Sequence, residues 1–126
     1  MWRFVCFVAA GLIAAPAAAG ALLVCRPESA LWCDAGGCGP VAGPAALIVD
    51  FNARTLARCA ADGCAALTYS DTAAGGFVRY SVGGGAAVLT VSNPADKFTD
   101  AAFVGGGVLL SFGACFPGEG PPGGGR

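Results

Sequence analysis

Residues 77–92 read Phe77-Val78-Arg79-Tyr80-Ser81-Val82-Gly83-Gly84-Gly85-Ala86-Ala87-Val88-Leu89-Thr90-Val91-Ser92, and this stretch decides the fold class. Val78, Tyr80 and Val82 alternate with Phe77, Arg79 and Ser81, the period of two at which successive side chains point to opposite faces of a strand. Three consecutive glycines then break the run, and a second strand-forming segment follows from Ala87 to Asn93. Strand, glycine turn and strand together predict an antiparallel hairpin.

The same punctuation extends outward in both directions. Leu47, Val49 and Phe51 oppose Ile48, Asp50 and Asn52, and Leu67 and Tyr69 oppose Thr68 and Ser70; further strands are expected at Leu22–Arg26, Thr55–Cys59, Lys97–Val104 and Val108–Cys115. Turn signals separate them at Asn52-Ala53-Arg54, Ala73 to Gly76, Asn93 to Asp96 and Gly105 to Gly107. No segment after residue 21 carries a long helical stripe. Eight or nine short strands spaced by about 8 to 12 residues predict an all-β antiparallel meander. Closing it as a barrel of about eight strands removes the open edges that invite aggregation, and a two-sheet sandwich is the alternative. The expected domain is 22–116, and the Pro- and Gly-rich 117–126 has nothing to bury and is expected to be a disordered tail.

Residues 1–21 have the layout of a secretory signal peptide: a basic start at Arg3, an apolar run from Phe4 to Ala15, and small residues after Pro16 that suit cleavage after Ala19 or Ala21. The competing reading is a retained anchor, since the uncharged stretch from Phe4 to Val24 is 21 residues long. Its Pro, Ala and Gly content offers little transfer energy to lipid. Export therefore predicts a periplasmic or secreted location, with membrane contact only through the signal peptide before cleavage.

Cleavage would also remove Cys6, leaving Cys25, Cys33, Cys38, Cys59, Cys64 and Cys115. An even set in an exported domain reads as disulfides. Cys33 to Cys38 and Cys59 to Cys64 share one spacing, and each loop holds an Asp and a Gly. A four-residue loop of that kind suits a hairpin turn with its two Cys directly opposed. The preferred pairing is Cys25–Cys115, Cys33–Cys38 and Cys59–Cys64, although six Cys admit fifteen pairings. Two C-x4-C units could supply four thiolates, but zinc knuckles use a tighter spacing and an oxidising compartment consumes thiols. No metal and no cofactor is expected.

The composition narrows function further. The 126 residues contain no His, which removes the usual base of hydrolytic triads and the usual zinc imidazole. With 7 basic and 8 acidic residues the net charge is −1, so the basic footprint of a nucleic-acid binder is missing. Among the carboxylates, Asp34 and Asp62 fit loop chemistry, Asp50 stands mid-strand on a face taken as solvated, and Asp96 with Asp100 could form an acid pair. Arg54, Arg58 and Arg79, with Tyr80 and Tyr69 nearby, form a cluster of positive charge that could contact an anionic ligand or an acidic partner, against the plainer reading of an outward barrel face.

The signal peptide, the paired C-x4-C hairpins, Lys97-Phe98-Thr99-Asp100 and Ser111-Phe112-Gly113-Ala114-Cys115 together resemble a set of small, uncharacterised exported proteins of Gram-negative bacteria. Size, export and disulfide-tied strands are more remotely similar to periplasmic lysozyme inhibitors of the small β-barrel type, and Gly76-Phe77-Val78-Arg79-Tyr80 is a distant echo of their Ser-Gly-x-x-Tyr loop. The first resemblance implies a compartment; the second implies an inhibitor-like module. The expected function is a non-catalytic exported binding or inhibitor-like module for an envelope protein or ligand, with Arg54, Arg58, Arg79 and Tyr80 as contacts. A carboxylate-dependent enzyme or a structural envelope protein is the alternative.

Overall fold

The computed structural model describes residues 21–92, 94 and 96–118. The expected signal segment before Ala21 and the tail beyond Gly118 lie outside the described residues. Nine strands follow in order: β1 (Leu22–Asp34), β2 (Gly37–Pro40), β3 (Ala46–Asp50), β4 (Thr55–Ala60), β5 (Gly63–Ala74), β6 (Phe77–Val82), β7 (Ala87–Ser92), β8 (Lys97–Val104) and β9 (Gly107–Gly118). They form one sheet in the order β9-β8-β7-β6-β5-β4-β3-β1-β2, and β9 also pairs with β1. Eight strands thus close into an antiparallel barrel, with β2 as an additional strand on its rim. The barrel is the expected architecture; the sandwich is excluded because a single sheet returns upon itself.

Closure rests on the β1–β9 seam, which pairs Val108 with Cys33 at one end and Gly118 with Leu22 at the other. Its register shifts between Phe112 and Gly113, which oppose Ser29 and Pro27, so that Glu28 is the extra residue of a bulge. Pro27 has no amide to offer a ladder and is tolerated at such an interruption. Gly113 is required on the other side, because a Cβ there would collide with the Arg26 carbonyl and crowd the Phe98 ring.

Two strands change neighbours along their length. β1 pairs with β3 through Leu22–Cys25 and with β2 through Leu31–Asp34. β5 pairs with β4 through Gly63–Thr68 and with β6 only from Tyr69 onward. Such staggering is how a tilted sheet closes on itself.

Alternation then divides each wall into an inner and an outer face. Leu47 and Val49 on β3, Leu56 on β4, Leu89 and Val91 on β7 and Phe98 on β8 are buried in the lumen. Inward neighbours meet across strands, as in the row Val78, Val91 and Phe98. The lumen is therefore a packed core, as expected of a barrel of this strand number.

All three expected disulfides form: Cys25–Cys115 at 2.03 Å, Cys33–Cys38 at 2.07 Å and Cys59–Cys64 at 2.08 Å between sulfurs. The first is buried inside the seam, whereas Cys38 and Cys64 are exposed near hairpin tips. Three disulfides are consistent with an extracellular or otherwise oxidising compartment.

Several expected boundaries move. Each C-x4-C turn is tighter than the four-residue loop, because the ladder closes one pair further, at Asp34 with Gly37 and Ala60 with Gly63. Gly37 and Gly63 take positive φ of 119° and 137° there, a conformation that side chains resist. Strand β2 was not expected, since Gly37-Cys38-Gly39-Pro40 has no alternation to reveal it. Pro117 and Gly118 belong to β9, because Leu23 and Leu22 pair with them, so the expected boundary at 117 falls inside a strand. Leu67 shares the inward parity of Tyr69 yet is 56% exposed, because no strand among the described residues flanks that part of β5 on its second side.

Joining Cys25 to Cys115 closes a far longer loop than the hairpin bridges, and the chain-entropy model assigns it roughly 4.5 kcal/mol against roughly 2 kcal/mol for a six-residue loop. Replacing Cys25 and Cys115 by Ser is expected to lower the unfolding free energy in urea by about 4 kcal/mol, more than either hairpin pair. Graded reduction with alkylation, read by peptide mass, is expected to label Cys33, Cys38, Cys59 and Cys64 before Cys25 and Cys115.

Candidate functional site

The expected cluster of Arg54, Arg58, Arg79 and Tyr80 does not assemble as one surface. Arg79 and Tyr80 are consecutive on β6, so the pleat sends them to opposite faces of the wall. Tyr80 is buried in the core, and Arg79 is exposed outside. Arg58 does not lie on an outward face: it is two residues from the buried Leu56 and shares its inward face.

Arg58 instead meets Asp100. Its Nη1 and Nη2 donate to the two carboxylate oxygens at 2.6 and 2.5 Å, the bidentate geometry that a guanidinium fork favours. β4 and β8 stand four places apart in the ring of eight, so this pair bridges opposite walls of the lumen. The Asp100 side chain is 0% exposed and that of Arg58 is 25% exposed. Asp100 reaches the interior by the same rule as Arg58, lying two residues beyond the buried Phe98. Beside it in the ladder is Ser111 on β9, whose Oγ is fully buried without a hydrogen-bond partner among the described residues. The segment between β2 and β3 covers this side of the lumen, where a Cβ at Gly43 would press on Ala30 and lie 3.4 Å from the Ser111 hydroxyl.

These placements correct the proposed carboxylate pair. Asp100 has both oxygens committed to Arg58, whereas Asp96 is exposed and accepts a hydrogen bond from the Ser92 hydroxyl at 2.9 Å. The two occupy different environments and share no cleft. Asp50 also departs from its mid-strand expectation: it ends β3, and one of its oxygens accepts the amides of Asn52 and Ala53 at 3.0 Å, which shapes the following turn. Asp34 has the expected loop role, accepting the Gly36 amide at 2.8 Å and the Trp32 indole at 3.1 Å.

Arg54 anchors a second constellation. It ends the β3–β4 turn at a positive φ of 57°, donates to Asp71 at 3.1 Å and lies over the Tyr69 ring at 4.9 Å. Tyr69 meets Tyr80 edge to face at 5.0 Å, and Phe51 stands 6.3 Å from Tyr80. Of the expected cluster, Arg54 and Tyr80 are thus linked, through Tyr69 rather than by direct contact. Burial pushes the Tyr69 hydroxyl above its ordinary value, against the pull of Arg54 and with Asp71 and Asp50 adding to the rise. Tyr80 is also raised, by burial first and then by Tyr69 and Asp71.

Among the described residues no group of three or more His, Cys, Asp or Glu could hold a metal ion. Compared with protein-family models, curated proteins and solved structures, the chain matches none.

Two outcomes follow from this geometry. Arg58→Ala leaves a buried carboxylate without its partner and is expected to cost about 3–5 kcal/mol in urea unfolding. The double replacement Arg58→Met with Asp100→Leu is expected to recover much of that loss, because it removes both desolvation penalties together. The raised tyrosines act at alkaline pH: both states hold the proton below 10.0, and as pH rises through that value the unfolded chain ionises first. Stability is therefore expected to fall as pH climbs above 10.0, with folded-state tyrosinate absorbance delayed beyond it. The chain has only two Tyr, so that absorbance reports on this pair directly.

Proposed function

We propose that the chain is an exported, non-catalytic binding module of the periplasm or extracellular space, acting through the outer wall of its barrel on an acidic partner. The observation that carries this reading is that the charged groups of the interior are committed to each other. Among the described residues the lumen is filled by apolar side chains, and its one charged pair satisfies itself. Binding is left to the outside. Export rests on the layout of residues 1–21, together with the three disulfides that an oxidising compartment sustains.

The outer wall favours an anionic contact. Arg26, Arg79 and Lys97 are exposed, and among the described residues none of them joins an ion pair. Thr72, Arg79, Thr90 and Thr99 form one cross-strand row over β5 to β8, with hydroxyls on both sides of the guanidinium. Beside it a hollow of about 100 Å³ is lined by Phe77, Thr90, Ser92, Lys97, Phe98 and Thr99. Cations and hydroxyls are the groups that dock a carboxylate-bearing surface, with the cations setting orientation and association rate.

Polyglutamate and polygalacturonate serve as acidic probes of that wall. Binding that weakens with salt, and is lost in Arg79→Ala combined with Lys97→Ala but kept in Arg54→Ala, is the expected result by titration calorimetry. Equal loss in all variants, or no binding at low salt, overturns the assignment of this face. Intact mass of the envelope protein tests export separately, with a chain starting at Gly20 or Leu22 and six alkyl groups gained only after reduction.

A further inference from the structure

The first half of β5 is an open strand edge. Gly63–Thr68 is hydrogen-bonded to β4 on one side, and no strand lies along its other side among the described residues, because β6 begins its pairing at Tyr69. All six residues are exposed. The direction of their backbone groups follows from one bond: the Tyr69 amide donates to the Arg54 carbonyl at 3.1 Å. Alternation along an antiparallel ladder then turns the amides of Leu67 and Ala65 toward β4, and those of Cys64, Ala66 and Thr68 away from it. Three amides and three carbonyls stand in a row along an edge about 20 Å long.

Natural sheets protect such an edge with a charge, a proline or a bulge. Gly63-Cys64-Ala65-Ala66-Leu67-Thr68 contains none of these. The Cys59–Cys64 disulfide and the neighbouring β4 hold it extended, so the template is preformed.

We propose that this edge is a docking site for a second copy of the same chain, joined by antiparallel pairing of Gly63–Thr68 about a two-fold axis. The segment is self-complementary in size and polarity. Hydrogen-bond parity admits an axis at Ala65 or at Ala66, the two registers that use most of the edge. In the first, Leu67 lies opposite Gly63 of the second copy, and in the second it lies opposite Ala65 of the second copy. Either register sets the large exposed side chain, 56% accessible, over a small one. No charge meets its like across the axis, and direct cross-strand opposition of like charges is the arrangement that disfavours such pairs. An isologous interface of this kind closes at two copies, because each edge is consumed by the other.

Two substitutions test the proposal on the disulfide-bonded protein. Ala66→Pro removes an amide that points away from β4, so it costs no bond within the barrel, and Ala66→Lys sets two cations near the axis. Sedimentation velocity of the unmodified chain is expected to show a mass that doubles with concentration, and both variants are expected to stay monomeric with unchanged circular dichroism. Exchange of the Cys64, Ala66 and Thr68 amides is expected to slow in the unmodified chain as concentration rises. A chain that remains monomeric at every concentration, or a dimer that persists in Ala66→Lys, overturns it; should Ala66→Pro fail to fold, Ala66→Lys and the exchange data decide alone.

Discussion

Everything in this molecule depends on the seam between β1 and β9. A meander of eight strands has two free ends, and only their pairing turns an open, twisted sheet into a wall around a core. The seam joins residues from opposite ends of the chain, so the loop entropy it must overcome is the largest in the fold. The buried Cys25–Cys115 bridge relieves that cost by holding the two ends together in the unfolded chain as well. The bulge at Glu28 and the bare α-carbon of Gly113 let the strands go on pairing in a register shifted by one residue, with Phe98 packed against that position.

Closure also explains the ion pair. Alternation sends every second residue of a barrel wall toward its interior regardless of type. Arg58 and Asp100 are carried inward by Leu56 and Phe98, and their positions on opposite walls let one neutralise the other across the lumen. A buried bidentate pair contributes less to net stability than apolar packing of the same volume would, yet it penalises any arrangement that separates its members.

With the interior filled and its charges matched, the outer surface carries the remaining chemistry. Among the described residues it presents a wall of cations outside any ion pair, set among hydroxyls, and a length of strand edge that no other strand flanks. The first belongs with partners recognised by charge, and the second with pairing through the backbone. They lie on different stretches of the sheet, on β5 to β8 and on the first half of β5.

The sequence by itself determined most of the strands, the glycine turns and the even set of cysteines, and it favoured the closed barrel and the three-disulfide pairing without excluding a sandwich or the other pairings. The strands and turns follow from local alternation and turn chemistry, and the disulfide count from the parity of the cysteines, whereas the Cys25–Cys115 pairing and the closure of the barrel join distant parts of the chain and were fixed only by the tertiary structure. The site was less legible. Taken residue by residue, Arg54, Arg58 and Arg79 looked like one patch because they are the cations of the middle of the chain. A stricter use of the period of two would have placed Arg58 inside with Leu56, Asp100 inside with Phe98, and Tyr80 behind Arg79. No local pattern, however, could say that Arg58 and Asp100 face each other, that Arg54 reaches Asp71 and Tyr69, or that β5 changes partners at Tyr69. Those facts were decided by the tertiary structure alone, because they depend on the stagger with which strands far apart in the chain are brought together when the barrel closes.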